Sequence, residues 1–235
     1  MALVLVHGGG FGGTCWGRLV PLLEGEVQVV DLPGRGNRPA DLSAVTIDDF
    51  VSAVVSDIEQ RDLRDVVLVG HSLAGITLPG VAARLPDRLR RLVFVSAAVP
   101  DEGQCVAEVL ASFSPAAAAV MDQIGGDVVT AEGTLNPDLA TAMFCNDMDD
   151  EQRAFTLERM VPEAVGVISE PVDLRGLRGP VPKTYVRLLR DASLTLDTQD
   201  RFINNLGDAD VVDLDTSHMA MITDPVGLAA LLNSF

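Results

Sequence analysis

Residues 65–78 read DVVLVGHSLAGITL. The run Val66–Val69 is short, continuous and rich in valine, the pattern of a strand covered on both faces of a parallel sheet. From Ser72 onward, SLAGITLPGVAARL reads as a helix, so Ser72 stands at the seam of strand and helix. A sharp turn that projects its central side chain crowds the backbone on either side and demands small neighbours. Gly70 and Ala74 meet that demand at minus two and plus two, and Gly75 follows. The stretch fits G-x-S-x-G, with Ala74 in place of the last glycine.

The pattern extends outward in both directions. Apolar, mostly β-branched runs at 2–7, 26–31, 65–70, 90–96, 182–188 and 209–214 predict six buried strands. Helices are expected near 15–24, from Thr46, from Ser72, near 197–206 and from Asp224 to the end. The Thr46 segment has a capping threonine, acidic residues in its first turn, and Phe50, Val51, Val54, Val55 and Ile58 at helical spacing. Such alternation predicts an α/β fold with a doubly wound, mostly parallel six-stranded sheet. The rhythm breaks once, between the fourth and fifth strands. Residues 99–179 carry helical patterns and no strand pattern, and RGLRGPVP at 175–182 leads back to the sheet. The expected organisation is a core of residues 1–98 and 180–235 with a helical cap of 99–179.

Ligands of an open α/β sheet bind beyond the carboxyl ends of its strands, and Ser72 falls at such an end. A serine hydroxyl becomes a nucleophile only beside a base, which in turn needs an orienting acid. The chain has three histidines, His7, His71 and His218. His71 shares the tight turn with Ser72 and is expected to point away from it, and His7 belongs to the first strand end. His218, in DLDTSHMAMITDP after the last strand, is left as the base. In LLRDASLTLD, Asp191 comes three residues past the expected end of the fifth strand and is the candidate acid, ahead of Asp197 and Asp200, which fall on the following helix. Asp215 reads as a turn residue. The oxyanion needs two backbone donors, and the run HGGGFGG at 7–13 brings bare backbone close to a ligand. The expected donors are the N–H groups of Gly9 and Leu73. A phosphate cradle is disfavoured, because no lysine and no G-K-[ST] accompanies these glycines.

Composition narrows the partners. With 34 acidic against 17 basic residues the net charge is −17, which repels nucleic acid and anionic membrane surfaces alike. No stretch approaches the roughly 20 apolar residues that cross a bilayer. The opening MALVLVH reads as a strand and not as a targeting segment, so a cytoplasmic location is expected. Cys15, Cys105 and Cys145 are three and widely spaced, which predicts reduced thiols and no zinc site. The expected partner is a small-molecule substrate, and a homodimer stays open. Phe11, Trp16, Leu73, Met219 and the cap residues Leu110, Phe113, Met121, Phe144, Phe155 and Met160 are candidates to line an apolar pocket. Together they favour a small or medium, largely uncharged ligand.

HGGG at 7–10, DLPGRGNR at 31–38, GHSLAG at 70–75, the Asp191 loop and SHMAMITDP at 217–225 make the chain resemble the α/β-hydrolase superfamily over essentially its whole length. Within it, the chain looks most like the group of plant methyl esterases and hydroxynitrile lyases. The resemblance implies a triad of Ser72, His218 and Asp191, an acyl-enzyme pathway for a carboxylic ester, and no metal or cofactor. The similar lyases carry a lysine after the triad histidine and a threonine after the first-strand histidine; Met219 and Gly8 stand here, which implies the esterase side. A fold does not fix a reaction. Lactonase, thioesterase, cyclase and C–C lyase or hydrolase chemistry stay open, as does a non-catalytic small-molecule binder on the same fold.

Overall fold

The computed structural model describes residues 1–109, 115–125 and 127–235, without the side chains of 115–117 and 121. Six strands, β1 (Ala2–Val6), β2 (Glu26–Val30), β3 (Val66–His71), β4 (Leu89–Val95), β5 (Lys183–Leu188) and β6 (Asp210–Leu214), form one sheet in the order β2-β1-β3-β4-β5-β6. Every neighbouring pair is parallel, with Val6 beside Gly70, Gly70 beside Phe94, and Val95 beside Val186. A parallel sheet has all its carboxyl ends at one edge. His7, Ser72, Ser96, Asp191 and His218 follow β1, β3, β4, β5 and β6 at that edge or close inside it.

The strands are apolar throughout because both faces are covered. Val4, Leu68, Phe94 and Tyr185 pack into one core layer with α1 (Ile47–Gln60), α2 (Leu78–Arg84) and α7 (Leu196–Leu206). Leu3, Leu5, Val67, Val69, Val93 and Val186 turn to the other face, against Trp16 and the closing helices α8 (Ala220–Thr223) and α9 (Pro225–Leu232). α1 begins as the sequence predicts: the Asp49 N–H donates to Thr46 Oγ1 (3.2 Å) and the Thr46 N–H to Asp49 Oδ2 (2.9 Å). Its buried face is Phe50, Val51, Val54 and Ile58.

Between β4 and β5 lie helices α3 (Val106–Val109), α4 (Pro115–Gln123), α5 (Pro137–Phe144) and α6 (Asp150–Leu157), then 3-10 turns at Val165–Ser169 and Arg175–Arg178. α5 falls within the expected helical segment. Its signal was local: Asn136 accepts from the Asp138 N–H (3.0 Å), and Pro137 opens the helix. The 15–24 segment folds as 3-10 turns at Gly13–Arg18 and Val20–Leu22, since Gly17 and Pro21 disfavour a longer α-helix. The helix after the elbow likewise starts as a 3-10 turn, Ser72–Ile76, before α2.

Small residues at the elbow are a steric necessity. Ser72 has φ +52°, and its carbonyl accepts from the Ala98 N–H (2.9 Å). A Cβ on Gly75 would lie 2.2 Å from the Ala98 carbonyl oxygen, and one on Gly8 would lie 2.8 Å from the Ser72 Cβ. Helix propensity alone would make Gly75→Ala stabilising by about 1 kcal/mol. The backbone contact reverses the sign, and we expect Gly75→Ala to cost roughly 1–3 kcal/mol, as overpacking does. The urea midpoint checks this; an unchanged or higher midpoint would show that the elbow yields.

Candidate active site

The side chains singled out in the sequence meet at the carboxyl edge of the sheet. The Ser72 Oγ lies 3.0 Å from His218 Nε2, and His218 Nδ1 lies 2.7 Å from Asp191 Oδ2. An ionised carboxylate only accepts, so Nδ1 carries the proton and Nε2 is left to accept from Ser72. Both the histidine and the aspartate side chains are buried, at 1% and 0% exposure. Asp191 is further held by the Ser193 and Leu194 N–H groups on Oδ1 (2.7 and 2.8 Å) and by the Ser96 hydroxyl on Oδ2 (2.7 Å). Four donors stabilise its charge where water does not reach.

The competing carboxylates are elsewhere. Asp197 lies in the first turn of α7, Asp200 pairs with Arg187 (2.6 Å), and Asp215 pairs with Arg190 (3.1 Å). Neither of the other histidines bonds Ser72. His7 donates from Nδ1 to the Gly8 carbonyl (2.9 Å) and accepts the Leu32 N–H at Nε2 (3.2 Å). The His71 Nε2 donates to the His218 carbonyl (2.9 Å), and the two rings lie 4.7 Å apart. On its other side His218 stacks against Phe144, 5.4 Å between centroids. The His218 ring is thus fixed by Asp191 at one nitrogen and by the His71 and Phe144 rings beside it.

Beside Ser72 is a cavity of about 220 Å³, lined mainly by apolar groups, among them Leu73, Phe144, Met160 and Leu194. Gly9 and Gly10 border it. Among the described residues the N–H groups of Gly9 and Leu73 have no hydrogen-bond partner, whereas that of Gly10 is taken by Glu163. Two larger depressions, about 760 and 580 Å³, lie on the far side of α2 and by the end of α7; they contain none of the Ser72, His218 and Asp191 set.

Of the pocket candidates, Phe144, Met160 and Leu73 line the cavity. Phe11, Trp16 and Met219 do not: all three are buried core, with Phe11 packed behind Phe144 (5.6 Å). Phe155 also lies outside the lining and carries the Arg159 guanidinium on its ring (3.4 Å). An aromatic or methionine in sequence does not reveal on which side of a wall it lies. Leu110, Phe113 and the side chain of Met121 lie outside the described residues. Ser96, Glu163 and Arg35 were missed, and no local pattern marks them. Among the described residues no group of three His, Cys, Asp or Glu side chains is placed to hold a metal ion.

This elbow, buried acid and flanking histidine, set on an all-parallel sheet with a helical insertion, define a hydrolase-type site. A model described as the alpha/beta hydrolase family matches residues 3–231, and the chain belongs to that family. Among its relatives, a carbendazim-hydrolysing esterase from a Nocardioides strain is 32% identical over 197 residues, covering 80% of this chain and 79% of that protein. Methylesterase 9 of Arabidopsis thaliana is 29% identical, covering 94% of this chain and 93% of its own. A Paenibacillus extracellular α/β-hydrolase, described as sharing structural and functional homology with tobacco salicylic acid binding protein 2, superposes with a TM-score of 0.82. It is 26% identical and covers 100% of this chain and 98% of its own. The chain is an enzyme of the ester-hydrolysing kind.

The two remaining histidines affect stability. Burial holds the His7 pKa down at about 4, and burial together with the neighbouring His218 holds His71 well below 6.5. Both stay neutral in the folded protein, while the unfolded chain takes up two protons below pH 6.5. Their contribution is complete above pH 6.5 and is lost as pH falls toward 4. For His7 alone the loss is about 3 kcal/mol. Urea unfolding between pH 7.5 and 5 is expected to show stability falling by roughly 1.4 kcal/mol per unit near pH 5 from His7, with His71 adding in the same direction. A flat profile would contradict the buried, neutral state of both rings.

Proposed function

We propose that Ser72, His218 and Asp191 form a catalytic triad that cleaves a small, uncharged carboxylic ester through an acyl-enzyme. The observation that carries this is the unbroken hydrogen-bond chain from the Ser72 hydroxyl through both nitrogens of His218 to the buried Asp191 carboxylate. His218 Nε2 takes the hydroxyl proton as Ser72 Oγ attacks the ester carbonyl carbon. The Gly9 and Leu73 amides receive the negative charge that develops on the carbonyl oxygen. Collapse expels the alkoxide, which leaves with the proton from His218. A water molecule, deprotonated by the same nitrogen, attacks the acyl carbonyl and releases the acid.

Substrate size and polarity follow from the cavity. Its volume of about 220 Å³ falls below the several hundred Å³ typical of drug-sized ligands, and its apolar lining suits a compact acyl or alkyl group. The net charge of −17 disfavours anionic esters at the encounter step. Lyase chemistry is disfavoured by Met219, which is buried in the core directly after His218 where the similar lyases carry a lysine. The substrates named for the relatives, methyl esters and carbendazim among them, set the starting panel for assay.

Turnover of p-nitrophenyl esters from acetate to decanoate is expected to peak at short chains. Ser72→Ala and His218→Ala should each lower kcat by several orders of magnitude with the fold intact, since the residues act as one unit. A fluorophosphonate should label the wild type and not Ser72→Ala. Retained turnover in either variant would remove that residue from the mechanism, and a folded, unlabelled wild type would point to a binding protein.

The acid can be tested separately. Asp191→Asn places an amide where His218 Nδ1–H needs an acceptor, and the wrong tautomer is expected to cost at least a hundredfold in kcat, while Asp197→Asn stays within twofold. The reverse ranking would relocate the acid to α7.

A further inference from the structure

Three consecutive glycines, Gly8–Gly10, form the loop that carries one oxyanion donor, and Gly10 has φ +73°. Such a run is the loosest backbone a chain can offer, yet an oxyanion hole works only when its donors are already aimed. What holds this loop comes from the inserted helical segment. The Gly10 N–H donates to Glu163 Oε2 (2.8 Å), and the Gly10 carbonyl accepts from the Val161 N–H (2.8 Å). Both polar groups of Gly10 are therefore fixed by residues more than 150 positions away in the sequence.

The carboxylate is itself held. Glu163 Oε1 accepts from the Ala164 N–H (2.7 Å) and from the guanidinium of Arg35. Arg35 is buried at 1% side-chain exposure, and it also donates to the carbonyls of Pro33 (2.8 Å) and Phe11 (3.4 Å). Glu163 borders the cavity, and its Oε2 would lie 3.2 Å from a Cβ built on Gly9. An uncompensated carboxylate there would repel a developing oxyanion. Paired with Arg35 it can orient the loop without that penalty, which explains why a charged pair is kept at this place.

We propose that Glu163 is a positioning residue, held and neutralised by Arg35, that aims the Gly9 donor by clamping Gly10. This role rests on the assignment of Gly9 and Leu73 as oxyanion donors made above. Glu163 touches no reacting atom. It acts through the peptide it holds, so its removal affects the transition state more than the bound ester.

In Glu163→Gln, one amide oxygen faces three N–H donors, and Gly10 or the Arg35 and Ala164 pair loses its acceptor. The experiment measures kcat and KM on the best p-nitrophenyl ester, kcat being normalised to the fraction of sites labelled by fluorophosphonate. It also measures the inhibition constant of the trifluoromethyl ketone with the same acyl chain. Ser72 Oγ adds to that ketone carbonyl, its proton passes to His218, and the ketone oxygen becomes an oxyanion in the hole. Glu163→Gln is expected to lower normalised kcat at least tenfold, change KM by less than threefold, and weaken the ketone by a factor matching the loss in kcat/KM.

A kcat per labelled site within twofold of wild type would overturn the proposal, as would a KM rise that accounts for the whole loss. Arg35→Met/Glu163→Leu removes the buried pair together, a change cores often tolerate, and covers the case in which Glu163→Gln does not fold. The same split between kcat and KM is expected of it, because Gly10 again lacks its acceptor; normal kcat in the folded double variant would overturn the proposal. Ser72→Ala, assayed alongside, separates the two levels. Turnover surviving in Ser72→Ala would refute the triad itself, whereas an inactive Ser72→Ala beside a fully active Glu163→Gln would refute only the positioning role.

Discussion

Ser72 is held at φ +52°, a left-handed conformation that costs a residue with a Cβ about 1–2 kcal/mol. The cost is borne because the surroundings leave the chain no other course. The carbonyl of Ser72 is tied to the Ala98 N–H, and the backbone around it is so close that Gly8 and Gly75 have no room for a Cβ. That conformation places the hydroxyl at the carboxyl edge of the sheet and the Leu73 amide beside it. A relaxed elbow would displace the Ser72 hydroxyl and the Leu73 amide in one movement.

The parallel sheet supplies the rest of the site at the same edge. β4, β5 and β6 deliver Ser96, Asp191 and His218 within hydrogen-bond reach, although up to 122 positions separate them in sequence. Burial sharpens what proximity begins. The Asp191 carboxyl, which accepts from the Ser193 and Leu194 N–H groups and the Ser96 hydroxyl, meets His218 Nδ1 and fixes the tautomer of the ring, and Phe144 and His71 hold its plane. His71, kept neutral by burial and by that neighbour, places no positive charge against the His218 ring.

Charge is used differently inside and outside. On the surface, pairs such as Arg187 with Asp200 and Asp213 are half-exposed, and each adds little to stability. The excess of acidic over basic side chains, 34 against 17, gives the protein a strongly negative field, which disfavours anions at any distance short of the screening length. Arg35 is the exception. It is buried with Glu163 against the glycine loop, where a charged pair must be matched closely to be tolerated at all. The inserted helical segment reaches the glycine loop at this point.

The sequence by itself determined the six strands, the insertion after the fourth, and Ser72, Asp191 and His218 as the polar groups that meet. These rest on local signals: continuous apolar runs mark strands buried on two faces, and small residues around Ser72 mark a turn too tight for larger ones. Only the tertiary structure decided which side chains line the cavity. Phe11, Trp16 and Phe144 look alike in sequence, yet Phe144 stacks on His218 while Phe11 and Trp16 fill the core behind it. Ser96 and Glu163 were equally invisible, because they act on partners 95 and 128 or more positions away. Hydrophobic periodicity reports which face of an element is buried, and it carries no information about which distant element arrives to cover that face.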